Sequence, residues 1–220
     1  MPVSLGDLVD PRQAAVVTCG YQRGIVGDLS YSPFLTSVLA DGAVIGSGLR
    51  LLNGARGAGV RVVHTVMEMR ADRAGFSINN PMLALSAKNP DLLLEGSAAV
   101  EIIPEAGPHP ADIVCKRIHG VTAFTGTELD SILRNLGIRT IIPAGVAITE
   151  AILGLCLTAA DLGYRIVLPS DAVAGYPPDY AESVVKYTCA MLSNIVTVDE
   201  ILLTWTSQSA LFDQQGKRIE

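Results

Sequence analysis

The chain has 220 residues, enough for one well-buried domain and short for two. Hydrophobic residues make up 49% and charged residues 17%, with a mean hydropathy of +0.38, which implies a large core plus an apolar face suited to a homo-oligomer (dimer or tetramer). The net charge of −6 without any Lys/Arg cluster excludes a nucleic-acid footprint, and no apolar run reaches the ~20 residues of a membrane span.

The opening MPVSLGDLVDPRQ lacks the basic and apolar regions of a signal peptide, so a cytoplasmic protein is expected. Cys19, Cys115, Cys156 and Cys189 lie far apart, with no C-x-x-C pair and no His at metal spacing. They read as reduced thiols, and neither a metal nor a cofactor is expected.

In chain order, strands are predicted at Ala14 to Cys19, Val60 to Val66, Asp112 to Lys116, Arg139 to Ala144 and Arg165 to Pro169, with a weaker one at Ile195 to Val198. Continuous apolar runs of this length suit a parallel sheet covered on both faces. Helix patterns lie between them at Ser37 to Ala55, Thr127 to Leu136, Glu150 to Leu162 and Pro178 to Leu192. Thr127 with Asp130 reads as a capping box, and Gly137 stands where that helix should stop. The alternation predicts a three-layer α/β/α domain, doubly wound on a mostly parallel, Rossmann-like sheet, occupying residues 1–220 as a single unit. The stretch from Arg70 to Pro110 is rich in Gly, Pro and Asn, with one short helical run (MLALSAK), and reads as a lid or binding loop.

Ligands of open parallel sheets sit beyond the C-terminal ends of the strands. That rule selects Cys19 to Gln22, Val66 to Arg70, Lys116 to His119 and Gly145 to Ala151. Four pieces around these positions resemble the isochorismatase-like superfamily, from about Ala14 to about Leu202, leaving 203–220 as a C-terminal extension. Gly20-Tyr21-Gln22-Arg23-Gly24 is similar to the family's D-x-Q turn, and Lys116 followed by Ala123-Phe124-Thr125-Gly126-Thr127 to its lysine and A-F-x-G-T piece. Gly145-Val146-Ala147 resembles the G-V-x turn that carries a cis peptide before the nucleophile. Leu162-Gly163-Tyr164 and Ser170-Asp171-Ala172 match the pieces behind the nucleophile helix.

The resemblance implies a Cys-Asp-Lys triad. Counting along the motifs, its aspartate falls on Gly20, its cysteine on Ala151 and its lysine on Lys116, with a Lys116-to-Phe124 interval slightly longer than the family's. Cys19 and Cys115 adjoin these positions, yet neighbours in a strand point to opposite faces. Cys156 is five residues beyond Ala151 on one helix, well off the same face. All three read as core residues, so cysteine catalysis is not expected.

The remaining catalytic candidates are Lys116, as acid or electrostatic anchor, and His119, the titratable group nearest neutrality. Glu150 reads two ways, as a first-turn acid on a helix capped by Thr149 or as an acid or base facing the pocket. Glu68 and Arg70 share one strand face, to bind a polar substrate or to pair with each other. His64 lies inside a strand and reads as a satisfied core histidine. Tyr21, Gln22, Phe124, Val146, Ala147 and Ala151 complete the expected substrate-binding set, and no metal ligand is expected. Two functions follow: a repurposed hydrolase or lyase using non-covalent acid/base or electrostatic catalysis on a small molecule, or an inactive pseudoenzyme that binds a small molecule or scaffolds an oligomer.

Overall fold

The computed structural model describes residues 3–89 and 91–216. Its frame is a parallel sheet in the order β3-β2-β1-β4-β5-β7, with β6 (Val173–Ala174) beside β4. The strands are β1 (Ala14–Cys19), β2 (Arg61–Met67), β3 (Ile113–Arg117), β4 (Thr140–Val146), β5 (Arg165–Pro169) and β7 (Asn194–Val196). Every residue of β1 and β4 is buried, which is why these strands read as unbroken apolar runs rather than alternating ones. β3 lies at the edge, where burial falls and alternation returns.

Helices close both faces. On one face α3 (Ala43–Ala58), α9 (Val198–Gly216) and the short α1 (Leu5–Leu8) pack Leu51, Leu52, Ala55, Ile201 and Trp205 against Val16, Val62 and Ile142. On the other, α5 (Leu129–Asn135), α6 (Ala151–Asp161) and the run from α7 (Pro178–Ser183) to α8 (Ala190–Leu192) bury Leu129, Leu133, Ile152 and Leu155 against Val17, Val63 and Ile141. The three-layer doubly wound architecture is therefore as the strand and helix alternation implies.

Local chemistry moved several boundaries. The helix expected over Ser37 to Ala55 is divided into α2 (Pro33–Val38) and α3, because Asp41 accepts the Ala43 N–H at 2.9 Å and Gly42 turns left-handed at φ +70°. No capping box forms on α5. The Thr127 hydroxyl donates to the Ala123 carbonyl at 2.7 Å, and Asp130 takes the Tyr164 hydroxyl at 2.8 Å and pairs with Arg134. Gly137 does end that helix, at φ +72°. Thr149 does not cap α6 either, since its hydroxyl donates to the Glu150 carboxylate at 2.7 Å.

The segment from Arg70 to Pro110 holds α4 (Pro81–Ser86) and two 3-10 turns, Ala98–Val100 and Pro104–Ala106. It folds back over the C-terminal edge of the sheet and bridges it at Gln22↔Ile102 and Met69↔Leu94. Positions 203–216 continue α9 without a break, while 217–220 lie outside the described residues. Trp205 is buried in its own chain and donates its indole N–H to the Val9 carbonyl at 2.8 Å. No helix among the described residues is long and apolar enough to cross a membrane.

Candidate functional site

β1 and β4 end side by side, Cys19 level with Gly145. Gly145, at φ +114°, lets β4 pass so close to β1 that a Cβ there would stand 2.0 Å from the Cys19 carbonyl oxygen. The chain then turns through a cis Val146-Ala147 peptide into α6, as the resemblance implied. The Ile148 N–H donates to the Ala174 carbonyl at 2.8 Å, fixing the turn to β6. The Ala151 N–H, first on α6, meets no acceptor among the described residues, as expected for a helix N-terminus.

A cavity of about 130 Å³ opens at this point. Val146, Ala147, Glu150 and Ala151 form one wall, and Arg117 and Met67 come from the ends of β3 and β2. Tyr31 and Leu35 from the segment after β1, and Met82, Leu83, Ser86 and Leu93 from the long irregular segment, cover it. The lining is mostly apolar, with Arg117 and Glu150 as its charged members among the described residues.

Arg117 is the basic group that sequence reasoning missed. β3 alternates: Cys115 and Arg117 face α6, whereas Val114 and Lys116 face the opposite side. The signal was present. Reading Cys115 as core commits Arg117 to the core side as well, and moving the family's lysine position to 117 shortens the long interval to Phe124. The Arg117 Nη1 donates to the Val121 carbonyl at 2.5 Å, while its Nε is removed from solvent without a hydrogen-bond partner among the described residues. Burial weighs against its charged form, and its pKa lies below the usual arginine value.

Of the expected site residues, Val146, Ala147, Glu150 and Ala151 come together at this cavity, and the others do not. Lys116 lines a separate hollow of the other sheet face and pairs with Glu68 at 2.7 Å, which raises its pKa. Arg70 is exposed and pairs with Asp72 at 2.8 Å rather than with Glu68. His119 sits in an adjoining hollow, its Nδ1 accepting the Ser77 N–H at 3.3 Å and its ring edge-on to Phe76. Tyr21 is buried toward α3, its hydroxyl without a partner among the described residues. Phe124 is a core residue stacked on Tyr164.

Gln22 is buried and spent on the backbone. Its Nε2 donates to the carbonyls of Met67 (2.8 Å) and Val100 (3.0 Å), and its Oε1 accepts the Met67 N–H at 2.8 Å. It clamps the turn after β1 to the cover of the cavity, leaving little of the amide for a ligand.

None of the cavity's lining residues is a cysteine. Cys19, Cys115, Cys156 and Cys189 are all buried and unbridged. Burial pushes the Cys19 and Cys115 thiols up, and the Cys189 thiol together with burial does the same to Cys156. High thiol pKa values disfavour the reactive thiolate. His64 is a core histidine: Thr18 and Asp112 occupy its two ring nitrogens, at 2.8 and 3.2 Å. No cluster of three His, Cys, Asp or Glu among the described residues is placed to hold a metal.

Fold and site together define a three-layer α/β protein with a small cavity at the C-terminal edge of a parallel sheet. The isochorismatase domain family matches residues 14–200, and the chain belongs to that family. It is 26% identical over 189 residues to the ureidoacrylate amidohydrolase RutB of Pantoea ananatis, spanning 80% of this chain and 75% of that one. An isochorismatase family protein from Burkholderia thailandensis superposes with a TM-score of 0.72 at 25% identity, covering 89% of this chain and 96% of its own. A cysteine hydrolase from Pseudomonas syringae pv. phaseolicola shares the fold, with a TM-score of 0.77 at 21% identity and coverage of 91% and 95%.

Proposed function

We propose that this chain is an isochorismatase-family hydrolase or lyase that acts on a small molecule in the Arg117–Glu150 cavity without a cysteine nucleophile. One observation carries the reading: the cavity at the turn into α6 is lined by Arg117 and Glu150 and by no thiol. The family match supports a hydrolytic lineage, and the kinship to an amidohydrolase supports a polarised carbonyl or similar group as the reacting centre.

In this reading the family's aspartate and cysteine positions are Gly20 and Ala151, so no acyl-enzyme forms. Glu150 is solvent-exposed at the head of α6. Its carboxylate takes a proton from a water at the cavity mouth as that water adds to the substrate, and returns it to the leaving group. The Ala151 N–H and the positive end of α6 stabilise the oxygen on which negative charge develops. Arg117 anchors the substrate electrostatically. Lys116 and His119 stay outside the reaction, each engaged elsewhere.

The test is a mass-spectrometric turnover screen of the purified chain against amides, ureides, esters and vinyl ethers, with Glu150→Gln and Lys116→Ala in parallel. Glu150→Gln is expected to lower kcat by roughly 10²–10⁴-fold, while Lys116→Ala retains activity. Full activity in Glu150→Gln removes its assigned role. No turnover by the wild type across the panel replaces this reading with that of a binding protein.

A further inference from the structure

We propose that the cavity selects a small monocarboxylate with an apolar body, its carboxylate forked onto the Nε–Nη2 edge of Arg117. This deepens the reading above and rests on it for the location of the ligand site.

The guanidinium is held by one edge only. Nη1 is tied to the Val121 carbonyl, whereas Nε is buried without a partner and Nη2 meets no acceptor among the described residues. No carboxylate pairs with Arg117 among the described residues, although this protein pairs arginines freely. Arg12, Arg23 and Arg70 each use the same Nε–Nη2 edge to grip both oxygens of one carboxylate: Asp10 at 3.0 and 2.6 Å, Asp28 at 2.9 and 2.8 Å, and Asp72 at 2.9 and 2.8 Å. Arg117 lines the cavity with its Nε unpartnered and no carboxylate of the described residues in that place. A buried cation with one neutral acceptor is costly, and a bidentate anion offsets the cost with two charge-assisted hydrogen bonds.

The rest of the cavity narrows the class. Ile25, Leu35, Met82, Leu83 and Leu93 offer no polar side-chain atom, and no cation besides Arg117 lines the cavity among the described residues, so a dianion such as a phosphate monoester would find a full counter-charge for only one of its two charges. A volume of about 130 Å³ excludes nucleotide-sized ligands. Like-charge repulsion keeps the carboxylate away from Glu150, which turns the other end of the ligand toward the head of α6. Arg117 thereby selects the substrate and sets its orientation.

The experiment measures thermal shift and calorimetric binding on the full chain. The probes are acetate, isobutyrate, benzoate and phenylacetate, each paired with its neutral amide, with inorganic phosphate and potassium chloride matched in ionic strength. At least one carboxylate is expected to bind saturably, its amide far more weakly, and Arg117→Met to lose roughly ten- to a hundredfold in affinity. Arg117→Lys, a point charge without the fork, is expected to fall between the two. Arg117→Met in the absence of ligand should melt no lower than wild type, because it removes a buried unpaired charge, so lost binding is not lost folding. The proposal is overturned if no carboxylate binds, if the amides bind equally, if phosphate or chloride reproduces the shift, or if Arg117→Met keeps its affinity. Carboxylate binding without any turnover would instead leave this inference standing and remove the catalytic reading. Turnover of neutral amides, unaffected by Arg117→Met, would remove this inference alone.

Discussion

Gly20 and Ala151 stand where the resemblance places an acid and a nucleophile, and their backbones differ in what they tolerate. Gly20 has φ +76°, and a Cβ there would lie 2.8 Å from Val146 Cγ2 and 3.1 Å from the Val146 carbonyl oxygen. Both Val146 groups belong to the packed turn, so Gly20→Asp is expected to destabilise the fold by about 1–3 kcal/mol, read as a lowered urea midpoint. An unchanged midpoint would show that the turn yields freely. Ala151 begins α6 in regular helical geometry at the cavity wall. Ala151→Cys should therefore fold normally and place a thiol at a helix N-terminus, where thiolate is favoured. Iodoacetamide should modify it well before the four native cysteines, all buried. Absence of a fast-reacting thiol would mean that position 151 does not open to the cavity.

At the scale of elements, β1, β2, α3 and the entry to β3 are tied by a buried polar chain. With Asp112 accepting from His64 Nε2, Nδ1 accepts the Thr18 hydroxyl; Asp112 also takes Arg56 Nη2 at 2.6 Å and the His109 N–H at 3.0 Å. Burial is the main cause holding the His64 imidazole below its ordinary 6.5, with Asp112 pulling the other way and Arg56 adding to the depression. Asp112 is raised by burial, yet its bonds to Arg56, the His109 N–H and His64 outweigh this and hold it below 3.8.

The sign follows from which state binds the proton first. The unfolded histidine protonates near 6.5 and the folded one only at lower pH, so stability from this group is complete above 6.5 and falls as pH drops below it. The loss is at most about 1.4 kcal/mol per pH unit for one proton. Chemical denaturation from pH 7.5 to 5 should show this slope, and His64→Gln should flatten it. An identical slope in the variant would assign the acid sensitivity elsewhere. Asp112→Ala, which leaves Arg56 and His64 without their shared partner, is expected to cost about 3–5 kcal/mol.

At the scale of the whole molecule, the last helix locks the first. Trp205, 3% exposed, lies in the same core as Leu8, Val9 and Leu51, and hydrogen-bonds the Val9 carbonyl across 196 residues of sequence. Gly54 lets α3 and α9 approach so closely that a Cβ there would meet Leu202 Cδ2 at 2.1 Å. Trp205→Ala is expected to lower unfolding free energy by about 3–5 kcal/mol, and Trp205→Phe by less. Tryptophan fluorescence of the wild type follows this helix alone, since Trp205 is the sole tryptophan of the chain. A neutral Trp205→Ala would mean that α9 adds nothing to the fold.

The amino-acid sequence by itself determined the layers, because strands buried on both faces leave unbroken apolar runs such as AAVVTC, and helices between them leave periodic ones. Its motifs also located the turn at Gly145 to Ala151, whose residues are neighbours in the chain. Which basic residue reaches that turn was signalled only indirectly, through Cys115 read as core, and the tertiary structure decided it. Lys116 and Arg117 differ by one position on an edge strand, and one position in a strand reverses the face. The cover supplied by Met82, Leu83, Ser86 and Leu93 was less legible still, since it lines the cavity together with Tyr31 and Arg117 from segments far apart in sequence. The same reason applies to Gln22 and Phe124, which carry family motifs yet are occupied with backbone and core. Local patterns encode an element and its buried face, whereas the convergence of side chains from different strands depends on register, which no single segment carries.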